Sequence, residues 1–262
     1  MSWIAGIGQR VVDGCRKGCR LASLATSIIW LSLHHNQWPR SVRTILARQM
    51  LFTGVDASTL IILIAVLTGM SVVLQAQLWL SRLGQSEMLG HLLVGVLIRE
   101  LGPLLVNFLV VGRSGTAMAI ELGNMRVGGE IRVLEAQGVE PVVYLLMPRI
   151  IGMALSIFAL NALLCATALL SGFGVGVLMR ITPPRMGSFF VSVLSAIQPA
   201  DIWNMLLKTL LSGVVVGSIC CMEGMAISGV VTEVPQAATR AVVRSITAIL
   251  ILFAVVSLFT YA

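Results

Sequence analysis

Five runs of apolar residues dominate this chain: Ala57 to Leu80, Leu89 to Val111, Met147 to Met179, Ile202 to Met222, and about Val242 to Ala262. A helix crosses the hydrocarbon core of a bilayer in about 20 apolar residues, so each run is long enough to span. With no water in that core, every backbone N–H and C=O must be satisfied within the segment, which makes the runs helices. Of the 262 residues, 57% are hydrophobic and only 11% charged, leaving no room for a large soluble domain. The predicted fold is all-α: a polytopic membrane protein with N-terminal interfacial helices over residues 1–50 and a five-span region over residues 51–262.

The opening stretch MSWIAGIGQRVVDGCRKGCR has no long apolar core followed by a small-residue cleavage site, so the first span is expected to act as its own insertion signal. Ile4, Val11, Cys15, Ala22 and Ile29 recur at helical spacing, with Arg10, Asp13, Lys17 and Arg20 on another side. That pattern predicts an amphipathic helix lying on the inner membrane surface or against the protein's own spans. Pro39 interrupts it, and a second short helix, about Val42 to Leu51, leads into the first span.

The net charge of +7 raises the question of nucleic acid, but the basic residues follow membrane topology instead. With the N-terminus inside, thirteen face the cytoplasm, from Arg10 to Arg244, while Arg82, Arg180, Arg185 and Lys208 lie outside or near the outer end of a span. That bias predicts a cytoplasmic N-terminus, a periplasmic C-terminus and no nucleic-acid partner. The five cysteines are odd in number and lie in the basic N-terminal segment or inside spans, so they read as small apolar fillers, without disulfide or metal spacing.

Within the second run sits LIRELGPLLVNFL, with Arg99 beside Glu100. A charge deep in hydrocarbon costs about 3 to more than 10 kcal/mol. Adjacent helix residues point about 100° apart, so each charge needs its own partner: a facing helix, water or a ligand. Pro103 removes a backbone donor and frees the Arg99 carbonyl, predicting a kink of the kind a polar cavity uses. Burial in helix contacts or snorkelling to the outer end is the alternative. Asp201, Lys208 and Glu223 flank the fourth run and read as boundary residues, too far apart in sequence to share a membrane depth.

The longest internal connection, about Arg113 to Pro148, carries Glu121, Glu130, Glu135 and Glu140 interleaved with Arg126 and Arg132. It predicts a short exposed amphipathic helix with Val127, Ile131 and Leu134 on one side, weakened at its start by Gly128-Gly129. GRSG at Gly112 to Gly115 has the G-x-S-G form used by intramembrane serine proteases, which makes Ser114 a candidate nucleophile. His91, 23 residues earlier on the same segment, would lie about 35 Å away, so small residues for close helix approach, or an end to span two, are the preferred reading. No phosphate loop and no H-E-x-x-H motif is present, so any energy source lies in another chain.

RELGP at Arg99 to Pro103, GRSGTAMAIELGNMR at Gly112 to Arg126, EAQGVEPVVYLLMPR at Glu135 to Arg149 and TRAVVRS at Thr239 to Ser245 stand in order and at family spacing. In these motifs the chain resembles the MlaE/YrbE permeases of Mce-type ABC lipid transporters, from about Arg48 onward. The resemblance implies a homodimer in the bacterial inner membrane that moves phospholipid and serves outer-membrane lipid asymmetry. It implies a cytoplasmic ATPase that binds ATP and Mg, a periplasmic Mce-domain (MlaD-like) protein and a small STAS-type (MlaB-like) subunit, with no cofactor, metal or catalytic residue in this chain. By the same resemblance Met125 to Val139 matches the coupling helix, with Met125, Arg126, Glu130 and Glu135 as ATPase-coupling residues. Arg99, Glu100 and Leu101 match the lipid cavity between protomers, Trp79, Leu80 and Leu83 would supply its apolar wall, and Pro103 the kink. A small-solute import permease, loosely suggested by EAQG, is the other transporter reading.

Overall fold

The computed structural model describes residues 40–83, 88–179 and 186–261, with Ser23 and Thr26. The expected amphipathic helix before Pro39 lies outside the described residues. Among the described residues there are helices and turns and no strand, and five helical stretches are long and apolar enough to cross a membrane: Val42–Leu80, Leu89–Val127, Val142–Leu178, Pro199–Met225 and Glu233–Thr260.

The first span begins earlier than its apolar run. Helix α1 (Arg40–Met50) buries Val42 and Gln49, passes through a π-helical turn (Leu51–Val55) and continues as α2 (Asp56–Arg82). The short helix predicted before span one is therefore continuous with it.

The second span runs on past Val111. It is built as α3 (Leu89–Leu93), a π segment (Val94–Leu101), α4 (Gly102–Val110), a second π turn (Val111–Gly115) and α5 (Thr116–Val127). GRSG does not end this helix; the fully buried Gly115 brings it against Cys220, to which a Cβ would come within 3.0 Å. At 1.5 Å per residue the 39-residue stretch is about 58 Å long, well beyond a hydrocarbon core, so one end projects from the membrane.

The predicted amphipathic helix is present but shorter than Met125 to Val139. α5 ends at Val127, Gly129 adopts φ 76°, a left-handed conformation that glycine takes without a Cβ penalty, and α6 occupies only Glu130–Ala136. Ile131 is fully buried and Leu134 part-buried, as the pattern required, whereas Val127 belongs to α5 and packs against Ile227, Val234 and Ala237.

The third span, a π turn (Val142–Leu146) followed by α7 (Met147–Leu178), is the central helix, and nearly every third or fourth residue from Met147 to Phe173 is buried. The connection that follows contains α8 (Met186–Ala196), a helix the prolines had concealed; its Phe189 and Val193 pack against Leu93, Val94 and Phe173. α9 (Pro199–Met225) and α10 (Glu233–Tyr261) complete the bundle. Leu63 and Leu67 of α2, with Ile251 and Phe259 of α10, remain exposed as a lipid- or partner-facing surface requires.

Candidate functional site

The two adjacent charges of the second span separate and find different partners on one helix. Arg99 Nε lies 2.6 Å from Asp201 Oδ1, and its Nη2 donates to Oδ2 at 3.2 Å. Asp201 is fully buried in the first turn of α9, where it also accepts from the Gln198 backbone N–H at 2.9 Å in a reciprocal cap. One carboxylate thus starts α9 and holds the Arg99 guanidinium through one hydrogen bond and a second close charge contact.

Glu100 turns deeper along α9. Lys208 Nζ, fully enclosed, donates to Glu100 Oε1 at 2.6 Å and to the Arg99 carbonyl at 3.0 Å. That carbonyl is the acceptor which Pro103, having no N–H, cannot satisfy. Lys208 therefore supplies that carbonyl with a donor and pairs with Glu100 through one ammonium group. Its cation also stands 5.2 Å from the centre of the Phe253 ring on α10, a favourable placement for a desolvated charge. Ser257 Oγ of α10 donates to the same Glu100 oxygen at 2.9 Å.

The cluster joins three spans, and it corrects the reading of Asp201 and Lys208 as boundary residues. They are seven positions apart on α9, two helical turns and about 10 Å, on the same face. Arg99 reaches toward the end of that helix and Glu100 toward its interior, so each acidic or basic residue meets its opposite without sharing a depth with the next. The i, i+7 spacing of opposite charges in span four, facing an Arg-Glu pair in span two, was the available signal. Nothing in the sequence singled out Ser257.

Exposure divides the cluster. Asp201 and Lys208 are sealed, the Arg99 side chain is 28% exposed, and that of Glu100 is 50% exposed. Leu101 is half-buried and Pro103 buried. Of the residues assigned to the apolar wall, Trp79 and Leu83 are exposed but Leu80 is turned inward at 5%. No hydrogen bond or ion pair among the described residues joins these three side chains to the cluster.

At the other end of the second span, Glu130 and Glu135 are exposed on α6, while Met125 and Arg126 are part-buried on α5. Glu223, another supposed boundary residue, is buried at the end of α9, where Arg240 Nε lies 3.2 Å away and Arg244 also pairs with it. Ser114 is fully buried and its Oγ has no hydrogen-bond partner among the described residues. His91 lies at the opposite end of the same continuous helix, so no Ser–His pair forms there. Ser114→Ala is expected to leave stability within about 1 kcal/mol and function unchanged, since it removes a hydroxyl that satisfies nothing; loss of activity with an intact fold would return Ser114 to the list of nucleophiles. Groups of His, Cys, Asp and Glu fit to hold a metal ion are absent among the described residues.

Comparison with known proteins agrees with this architecture. The chain is 31% identical over 220 residues to protein TRIGALACTOSYLDIACYLGLYCEROL 1, chloroplastic, of Arabidopsis thaliana, covering 82% of this chain and 61% of that longer protein. It is 28% identical over 246 residues to the intermembrane phospholipid transport system permease protein MlaE of Haemophilus influenzae, covering 94% of this chain and 92% of the relative. A probable ABC transporter permease protein of Synechocystis sp. is 30% identical over 203 residues, 78% of this chain and 76% of that one. The family of permease MlaE matches residues 46–259, a stretch that takes in all but the outermost few residues of the five spans and every charge of the cluster, and the chain belongs to that family of ABC transporter permeases.

Proposed function

We propose that this chain is the membrane subunit of an ABC transporter for phospholipid or a similar lipid, acting as a homodimer in the bacterial inner membrane. The observation that carries the reading is the half-exposed Glu100 carboxylate, which joins the second span to the fifth through Ser257, with the exposed apolar Val96 one turn before it on the second span and the exposed Leu258 next to Ser257 on the fifth. A charge on such a face is not left against hydrocarbon; it lines a cavity or meets a partner. A second copy of the chain closes that cavity, whose apolar wall takes acyl chains and whose polar groups take a head group. Arg99, already oriented by Asp201, presents its guanidinium edge to phosphate.

The remaining assignments follow from the same reading. α6, small and exposed with Glu130 and Glu135 on its surface, docks on a cytoplasmic ATPase, which binds ATP and Mg. This places the Leu89 end of the second span on the periplasmic side, where an Mce-domain protein exchanges lipid with the cavity, and a STAS-type subunit attaches through the ATPase. The name of the Haemophilus relative, a permease of an intermembrane phospholipid transport system, supports the lipid as cargo.

The test is purification of the tagged protein from its native membrane in mild detergent, with co-purifying proteins and lipids identified by mass spectrometry. An ATPase, an Mce-domain protein and stoichiometric phospholipid are expected. Glu100→Gln is expected to lower bound lipid and lipid transfer about tenfold, the effect of losing charge-assisted hydrogen bonds. A lone chain carrying only bulk membrane lipid overturns the proposal.

A further inference from the structure

Arg149 is a buried charge that the lipid cluster does not use. It follows Pro148 in the first turn of α7 and is only 5% exposed. Its Nη2 donates to Glu121 Oε1 on α5 at 2.8 Å and lies 3.9 Å from Met125 Sδ one turn further along α5. Nη1 lies 3.5 Å from the Leu145 carbonyl, in the π turn that opens the third span. A single guanidinium thus fastens the projecting end of the second span to the base of the central helix.

The opposite flank of α5 is fastened by close packing. A Cβ on Gly224 of α9 would come within 2.8 Å of the Ala119 carbonyl oxygen and 2.9 Å of Leu122 Cβ. α5 is therefore held on one side by backbone-close contact with α9 and on the other by an ion pair with α7. α6 is joined to this fixed arm through Gly128 and the left-handed Gly129, and seats its buried Ile131 against the core. Any push on α6 reaches α5 first, and Arg149 is where α5 meets the third span.

We infer that Arg149 is a positioning residue which, through Glu121, transmits displacement of the α5–α6 arm to the third span; the inference rests on the ABC permease function proposed above. An apolar contact at this place would hold α5 but let it slide. A fork of two N–H donors between a carboxylate and a main-chain carbonyl fixes its register as well. Glu121 is the informative partner to change, because its side chain is 58% exposed and its loss removes the link without opening a cavity.

The experiment uses the whole transporter, purified with its ATPase and lipid-exchange partner and reconstituted into phospholipid vesicles. ATP hydrolysis and lipid transfer are measured on the same preparation. In Glu121→Ala, hydrolysis is expected to stay within about twofold of wild type while lipid moved per ATP falls about tenfold, a coupling loss of ordinary size. Glu121→Asp, which keeps the carboxylate, is expected to restore part of that ratio. An unchanged ratio overturns the inference. So does a parallel fall of hydrolysis and transfer, which is what a merely structural role produces. Should Glu121→Ala fail to assemble, Glu121→Gln carries the same ratio test, because its amide oxygen still accepts from Arg149 but without charge. If the wild-type chain brings down no ATPase, it is the ABC permease reading that fails, before any variant is made.

Discussion

Lys208→Met is expected to lower the stability of the detergent-solubilised protein by about 1 to 3 kcal/mol, the cost of taking the donor from a buried acceptor, with a smaller contribution from Glu100, whose half-exposed carboxylate is left without its cation. The substitution keeps most of the apolar stem, one atom shorter, but withdraws three interactions together: the ion pair with Glu100 at 2.6 Å, the bond to the Arg99 carbonyl at 3.0 Å and the cation over the Phe253 ring. The carbonyl matters to the backbone, because Pro103 removes the donor that α-helical pairing would give it and Lys208 supplies one from the side. The charge matters differently. Glu100→Gln alone strands an ammonium group that is wholly enclosed, so it too is destabilising. The double variant Lys208→Met/Glu100→Gln removes both charges and is expected to recover a substantial part of the loss, which gives a clear interaction energy in a double-mutant cycle. Thermal unfolding of the three variants measures it; strictly additive effects would show that the two side chains are neighbours without being partners. With much of the stability recovered, the double variant separates stability from function: it is expected to stay poor in bound lipid.

The five spans were legible because a bilayer imposes one requirement on length and polarity, and every run from Ala57 onward meets it. Their ends were less so. The second span passes its apolar limit at Val111 and continues to Val127, since GRSG folds as a π turn instead of a break, and backbone bonding carries the helix out of the membrane where hydropathy falls away. α8 was hidden because loop prolines dominate the reading of that segment, whereas Phe189 and Val193 fold it against Phe173 and Leu93. In the cluster, the need of Arg99 and Glu100 for separate partners follows from helix geometry, and the structure gives each its own: Asp201 for Arg99 and Lys208 for Glu100, with Lys208 also donating to the Arg99 carbonyl. Which residues answer that need was not readable from the segment itself. Asp201 and Lys208 lie 102 and 108 positions away from their partners, and only the packing of α9 against the π segment brings them into reach. Residue types announced the demand for partners; tertiary structure supplied them.

The second large effect lies in the contact of the first span with the third. Gly69 on α2 touches the main chain of Ala168 on α7: a Cβ there would collide with the Ala168 carbonyl oxygen and lie 2.6 Å from its carbonyl carbon. Four residues along each helix the arrangement repeats, with Gly172 so placed that its own Cβ would come 2.7 Å from the Gly69 carbonyl oxygen and collide with Val73. Gly69 on α2 and the small residues Ala168 and Gly172, four apart on α7, let the backbones meet, and in lipid, where apolar burial gives no advantage over the solvent, van der Waals contact of this closeness is a principal attraction between helices. Gly69→Ala adds one methyl group, yet the obstacle is backbone, not a movable side chain. The two spans must part by an ångström or more, and Ala65, Val73, Leu169 and the Ser171 bond to the Val66 carbonyl lose their fit together. The cost is expected to reach or exceed about 3 kcal/mol, the upper end for overpacking. Gly174→Ala on the same α7 provides the opposite case. Nothing lies within 4 Å of a Cβ there, so the change is expected to be neutral or to stabilise by up to about 1 kcal/mol through helix propensity. Unfolding midpoints of the two single variants decide between close packing and generic glycine effects: a common shift of the same sign and size in both would mean that backbone flexibility, and not the meeting of α2 with α7, sets the stability of this face.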